Sequence, residues 1–313
     1  MELGYFAMPS HPPECGLKEG HDWDLQVLRW LDELGYQEAW IGEHHTAPWE
    51  PHPAPDLLVV EGLRQTKNIR LGPGGFLLPY HHPAELANRV AMLDHISGGR
   101  LNFGVAASGL PSDWAMFNVD GMSGVNRDMT REALDIILKL WSSTEPFDYK
   151  GKFWNVSHPP EMFGFLRHHI RPLQKPHPPI GVAGISKGSD TLKLAGEKGF
   201  LPMSLNLNPA YVGSHWEAVE IGAAKAGRTP DRGEWRMVRE RGSRADRSGS
   251  RCTPPRSPGS PRAPTSRSRR DAAVGTRRPS SAARRSSPPV SGPRAPLRVP
   301  SRGLRELEGV CRG

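Results

Sequence analysis

The chain has 313 residues and a formal net charge of +8, a length that fits one large domain or two small ones. Its longest aliphatic runs are about four residues, which excludes a bilayer-spanning helix, and its start lacks the charged and apolar regions of a signal peptide. Three cysteines are too few for a disulfide framework or a cysteine zinc site. We therefore expect a cytoplasmic protein with no membrane partner.

The charge is divided unequally along the chain. All 23 aromatic residues, all 13 His and all 10 Lys lie in residues 1–240. Residues 241–313 hold 18 Arg against four acidic residues, a net charge of +14, which leaves −6 of the total +8 for residues 1–240. The positive total is therefore a property of the tail, and a nucleic-acid partner is not expected.

The body alternates between strand-like and helix-like segments. In chain order we predict strand 2–6, helix 22–34, strand 37–42, helix 55–66, strand 69–78, helix 83–96, strand 100–106, helix 124–141, strand 179–183, helix 189–198, strand 201–205, helix 210–226 and the start of a seventh strand at 234–239. Asp22 is the expected N-cap of the first helix.

This alternation predicts a parallel α/β fold. No glycine-rich dinucleotide turn follows the first strand, which favours a TIM (β/α)₈ barrel over a doubly wound sheet. In such a barrel the chemistry lies at the carboxyl ends of the strands. The segment 143–178 is predicted to be an insertion loop.

The tail, residues 241–313, shows neither period and lacks Lys, Ile, Met, Asn, Gln, His and aromatic residues. One interpretation is a disordered Arg/Ser/Pro arm that binds nucleic acid or another anion. The favoured one is out-of-frame translation of a GC-rich gene, because the change is abrupt and falls inside a strand. Either way we expect a barrel that is incomplete after the start of its seventh strand.

His44 and His45 follow the second predicted strand. Successive side chains on a strand point to opposite faces, so the two do not easily share a metal ion, and no metal site is predicted. A histidine at a barrel strand's end can act as a general base or as a hydrogen-bond donor to a ligand. A purely structural histidine is the alternative.

Small residues mark the next two strand ends. Gly74 and Gly75 interrupt the third strand, as a flat ligand against the backbone or a simple barrel kink would require. Ser108 follows the fourth strand, where it can hydrogen-bond a ligand or merely end the strand. Trp114 lies in the loop beyond it.

A turn containing Ser186, Gly188 and Ser189 follows the fifth strand and leads into a helix. Hydroxyls and free N–H groups at a helix N-terminus suit a phosphate, and barrels often place a phosphate site late in the strand order. Ordinary capping of the helix by Ser189 is the alternative explanation.

Four segments carry a resemblance to a known family: Glu43-His44-His45, the run 73–83, the run 93–104 and the serine turn 186–189. Together they resemble the bacterial luciferase-like flavin monooxygenases over residues 1–240, and Ser97-Gly98-Gly99-Arg100 is the most specific part. The run 73–83 is similar to the limonene-monooxygenase-type branch.

The resemblance implies reduced FMN across the barrel mouth, reacting with O₂ to a peroxyflavin that transfers one oxygen atom to a small organic substrate. His44 then serves as a base or proton relay. Gly74 and Gly75 lie against the flavin, with a non-prolyl cis peptide in their strand. The phosphate ligands that it implies are Ser186, Gly188 and Ser189.

Other implications concern the surroundings of the flavin. The pocket residues expected are His45, His82 and Trp114, and Ser108 stands about where some members use Arg. Family members receive reduced flavin from a partner reductase or use NAD(P)H directly, and are often dimeric. Two alternatives stay open: hydride transfer with flavin or deazaflavin, and a truncated, inactive family member.

Overall fold

The computed structural model of the chain describes residues 3–238. The tail at 241–313, predicted to be disordered and out of frame, lies outside the described residues. The strands are β1 (Gly4–Ala7), β2 (Glu38–Ile41), β3 (Arg70–Pro73), β4 (Phe76–Leu77), β5 (Phe103–Ala106), β6 (Phe147–Lys150), β7 (Asn155–His158), β8 (Ile180–Gly184), β9 (Leu201–Leu205) and β10 (Arg236–Val238). The α-helices are α1 (Leu17–Glu33), α2 (Pro55–Gln65), α3 (Pro83–Ser97), α4 (Pro111–Met116), α5 (Val125–Ser142), α6 (Asp190–Lys198) and α7 (Val212–Lys225).

The parallel strands form two sheets, in the orders β1-β2-β3 and β10-β9-β8-β5-β4. A parallel bridge between Leu71 and Leu101 links them, where the Asn102 N–H donates to the Leu71 carbonyl at 2.9 Å. Arg236 of β10 forms an ion pair with Glu38 of β2 at 3.1 Å. The α/β prediction is confirmed, and the strand order is consistent with a (β/α)₈ barrel.

Apolar helix faces cover the strands. The helical spacing of Leu25, Leu28, Leu31 and Leu34 predicts one buried face; the first three are buried on α1, whereas Leu34 is 74% exposed because the helix ends at Glu33. On α5 the buried Trp141 donates its indole N–H to the Ala87 carbonyl of α3 at 3.0 Å. Within residues 3–238, no helix is both long and apolar enough to cross a membrane.

Several element boundaries differ from the prediction. Helix α1 begins at Leu17, so Asp22 lies inside it and not at the N-cap, and its carboxylate accepts from Lys18 one turn earlier at 2.6 Å. The predicted third strand is split into β3 and β4 at Gly74–Gly75.

The segment 143–178 is not a plain loop. It contains the antiparallel hairpin β6–β7, whose turn is held by the Glu132 carboxylate of α5. That carboxylate accepts from the N–H groups of Lys152, Phe153 and Trp154 at 2.9 Å each. Two short strands separated by one tight turn leave too weak a periodic pattern for the sequence to show.

The most specific family motif is structural. The Ser97 hydroxyl accepts from the N–H groups of Gly99 and Leu101 at 3.1 and 3.0 Å, and Gly98 ends α3 in the left-handed conformation. Arg100 donates to the Leu63 and Ile69 carbonyls at 2.6 and 3.0 Å. This turn leads into the amino end of β5, the end of the barrel opposite His44.

Candidate functional site at the carboxyl ends of the strands

His44 lies just beyond β2, partly buried between two carboxylates. Its Nδ1 is 3.5 Å from Asp113 Oδ2, and its Nε2 is 3.3 Å from Glu50 Oε2. Asp113, on α4, is fully buried and also accepts from the Thr46 hydroxyl at 2.5 Å. Both imidazole nitrogens therefore face an acidic group, an arrangement that can orient a ring and exchange a proton.

Glu50 differs from an ordinary surface carboxylate. Burial raises its pKa above the usual value, although the charge of a protonated His44 opposes the shift. A carboxyl group with a raised pKa holds its proton more readily, so the Glu50–His44 pair is suited to passing a proton.

The neighbouring His45 has different partners from His44. Its Nε2 donates to Glu43 Oε1 at 2.8 Å. The buried Glu43 carboxylate also accepts from His81 Nε2 at 3.0 Å and from the Leu77 N–H at 3.1 Å. Three donors from β2, β4 and the following turn thus meet at one carboxylate.

The charge state of Glu43 fixes the tautomers around it. Burial favours its neutral form, but the hydrogen bonds from His45, His81 and Leu77 outweigh burial and hold the pKa of Glu43 below its usual value. An ionised carboxylate only accepts, so both imidazole Nε2 atoms carry hydrogen. Arg89 donates to His81 Nδ1 at 3.1 Å, which agrees with this assignment.

Aromatic rings form a wall beside His45. The Tyr80 and Phe117 rings stack at 4.2 Å, and Phe117 meets the His45 ring edge-on at 4.6 Å. Tyr80 donates its hydroxyl to Ser108 Oγ at 2.6 Å, and burial raises the pKa of Tyr80 to about 12. Ser108 has φ +67° and joins this wall to the carboxyl end of β5.

Gly74 and Gly75 are required by the protein's own packing. A Cβ at Gly74 would lie 2.8 Å from the Phe6 ring, and one at Gly75 would lie 2.5 Å from the Val105 nitrogen. These contacts agree with the alternative of a kink in the barrel wall. The implied non-prolyl cis peptide is not found: within residues 3–238 the cis peptide bond is Lys175–Pro176.

Replacing Gly75 by alanine is expected to destabilise the fold by about 1–3 kcal/mol, because the new methyl group meets the β5 backbone. Urea unfolding followed by circular dichroism measures the change. Gly213→Ala is the control, since nothing lies within 4 Å of a Cβ there. Equal midpoints for the two variants would contradict the packing argument.

The serine turn leads into the N-terminus of α6. Ser186 is exposed, whereas the Gly188 N–H donates to Ser214 Oγ at 3.1 Å and the buried Ser189 hydroxyl pairs with Thr191 Oγ1 at 2.9 Å. Ser189 occupies the cap position but makes no side-chain cap bond. The alternative of ordinary capping therefore does not describe its side chain, and the first-turn N–H groups of α6 keep their capacity for an anion.

Two predicted pocket residues do not join the cluster. His82 is exposed at the start of α3, where its carbonyl accepts from the Leu86 N–H at 3.0 Å. Trp114 lies on the short helix α4, whereas the sequence predicted a loop there. It packs against Gly121, and its buried indole Nε1 has no hydrogen-bond partner among the described residues.

Sequence reasoning missed the residues that orient the two histidines. Strand alternation after β2 places Glu43 and His45 on one side, a signal that was available. The pairing of His44 with Asp113 joins residues 69 positions apart, and no sequence pattern announces it. Nor does any sequence pattern show that His81, and not its neighbour His82, hydrogen-bonds Glu43.

Comparison with known proteins assigns the family. The protein-family sequence model described as luciferase-like monooxygenase matches residues 1–239. A 4-hydroxyprotoasukamycin monooxygenase of Streptomyces nodosus subsp. asukaensis is 34% identical, over 76% of this chain and 63% of that protein. Limonene 1,2-monooxygenase of Rhodococcus erythropolis is 32% identical, over 76% of this chain and 59% of that protein.

A solved structure agrees in fold. The oxygenating constituent of 3,6-diketocamphane monooxygenase from Pseudomonas putida, a type II Baeyer–Villiger monooxygenase in complex with FMN, is 33% identical with a TM-score of 0.70. The match covers 76% of this chain and 66% of that one, so the chain spans less than two thirds of these relatives. By its sequence and by its strand order, the chain belongs to the luciferase-like monooxygenase family.

Proposed function

We propose that this chain is the oxygenating component of a flavin-dependent monooxygenase, which inserts one oxygen atom from O₂ into a small organic substrate. The observation that carries the proposal is His44, held at a strand's carboxyl end with Asp113 on Nδ1 and Glu50 beside Nε2. An FMN-binding relative of the same fold supports the choice of cofactor.

The residues present fit FMN. The uncapped N-terminus of α6 and the exposed Ser186 offer donors for the phosphate, and exposed Lys187 adds a positive charge. Just past β9, Asn206 Oδ1 is buried without a partner among the described residues, which leaves an acceptor at the same edge of the barrel. Reduced FMN, when bound, would supply the electrons that activate O₂.

The chain's own residues would manage protons and exclude water. Asp113 would accept from Nδ1–H of His44, which leaves Nε2 as the atom that takes up or gives a proton, with Glu50 as its exchange partner. The stacked Tyr80 and Phe117 rings give the pocket an apolar side. Glu43 holds His45 against that side.

Relatives supply the starting points for substrates and partners. The names of three relatives specify 4-hydroxyprotoasukamycin, limonene and a diketocamphane, and one relative is an oxygenating constituent. We infer a small organic substrate and a separate reductase that delivers reduced FMN at the expense of NAD(P)H.

The test mixes purified chain and chemically reduced FMN with ¹⁸O₂ and a panel of alicyclic ketones and terpenes. Mass spectrometry of the products then reports a gain of one ¹⁸O atom. Fluorescence titration with FMN is run separately, so that binding is measured without turnover. FMN binding with a reduced, unoxygenated product would favour hydride transfer, and no FMN binding would overturn the proposal.

A further inference from the structure

A second cluster of chemistry-bearing side chains lies away from His44. His11 Nε2 and His52 Nε2 are each 2.9 Å from Asp24 Oδ2. One ligand atom from each of the three residues lies within 4.8 Å of the others. The side chains of His11, His52 and Asp24 are only 8%, 10% and 13% exposed.

The three residues come from separate parts of the chain. His11 lies between β1 and α1, Asp24 lies on α1, and His52 lies between β2 and α2. Both rings are held in place: a Cβ at Gly20 would lie 2.8 Å from the His11 ring, and the His52 ring stacks on His21 at 6.2 Å. The convergence is therefore built by tertiary packing and is not a chance meeting of surface side chains.

We propose that His11, Asp24 and His52 form a binding site for a divalent first-row transition metal, of which Zn²⁺ is the probe. Two imidazoles and one carboxylate are ligands that such ions take, and Zn²⁺ bonds them at about 2.0–2.2 Å. Each imidazole would bind through Nε2 as the neutral tautomer with its proton on Nδ1; only a ring that was doubly protonated before binding would release a proton to solvent. The fourth position is left to water. The sequence predicted no metal site because three cysteines are too few and because His44 and His45 were not expected to share an ion; that prediction did not consider His11, Asp24 and His52 together.

The site would stabilise the segment that carries His44. The His52 carbonyl accepts from the His44 N–H at 3.1 Å, and the Trp49 carbonyl accepts from the His11 N–H at 2.8 Å. A metal held by His11, Asp24 and His52 would thus join the loop after β2 to α1. The role is positional, and the inference does not depend on the proposed oxygenase function.

The alternative to a metal site is a carboxylate, Asp24, that accepts hydrogen bonds from both imidazoles. The following experiment distinguishes the metal site from this hydrogen-bonded cluster. The full-length, untagged chain is stripped with a chelator and titrated with Zn²⁺ by calorimetry, with metal content checked by mass spectrometry. His52→Gln and Asp24→Asn remove one ligand each. His21→Gln is the matched control, since His21 stacks on His52 but contributes no ligand atom.

We expect stoichiometric Zn²⁺ on the wild type and on His21→Gln, a higher thermal midpoint with Zn²⁺, and loss of both effects in His52→Gln and Asp24→Asn. Co²⁺ substitution of the wild type should give d–d bands without thiolate charge-transfer bands, a readout that needs no variant. Three results would each overturn the proposal: no stoichiometric Zn²⁺ binding to the wild type, thiolate charge-transfer bands with Co²⁺, or an unchanged Zn²⁺ affinity in a folded His52→Gln.

Discussion

Replacing His44 by alanine is expected to lower substrate oxygenation by about 10²–10⁴-fold, the usual contribution of a positioned acid–base group. FMN binding should be retained, because the donors proposed for its phosphate lie at α6 and not at β2. The measurement mixes reduced FMN, enzyme and the best substrate of the panel with O₂ in a single turnover. FMN affinity is measured in parallel by fluorescence.

The control for this variant is His95→Gln. His95 is an exposed histidine on α3 whose Nε2 bonds the Arg171 carbonyl at 2.9 Å, and we expect its loss to leave the rate unchanged. Full oxygenation by His44→Ala would show that the ring is structural. A rate lost together with FMN binding would show that His44 supports the cofactor instead of moving a proton.

Replacing Glu43 by alanine is expected to destabilise the fold by about 3–5 kcal/mol, because a buried carboxylate that three donors share is removed. Urea unfolding measures the loss. Glu85→Gln is the control: this exposed carboxylate pairs with Arg89 at 3.5 Å within α3, and its change should stay within about 0.5 kcal/mol. A similar small effect at Glu43 would contradict the hydrogen-bond account.

The pH dependence of Glu43 has a definite sign. Its pKa in the folded protein is below the ordinary 4.5, so its stabilising contribution is complete above that pH and is lost as the pH falls through the lowered value. The wild type should therefore lose stability below about pH 4.5 more steeply than Glu43→Gln. Parallel acid profiles for the two proteins would contradict this.

Local patterns were sufficient for most of the fold. The leucine spacing of α1 and the strand-to-helix alternation depend on neighbours in the chain; the alternation was confirmed, and the spacing was right for Leu25, Leu28 and Leu31 but not for Leu34. The patterns failed where a distant contact decides the local conformation. Glu132 holds the β6–β7 turn from another helix, and the β5 backbone beside Gly75 separates β3 from β4.

The sequence by itself determined the parallel α/β class and the family. These follow from periodicity and from motifs read within a few residues. Only the tertiary structure decided that Asp113 and Glu50 face His44, that Glu43 selects His81, and that His11, Asp24 and His52 converge. Such pairings depend on which strand ends and loops become neighbours. Tertiary packing decides this for residues so far apart in the chain that no periodic sequence pattern relates them.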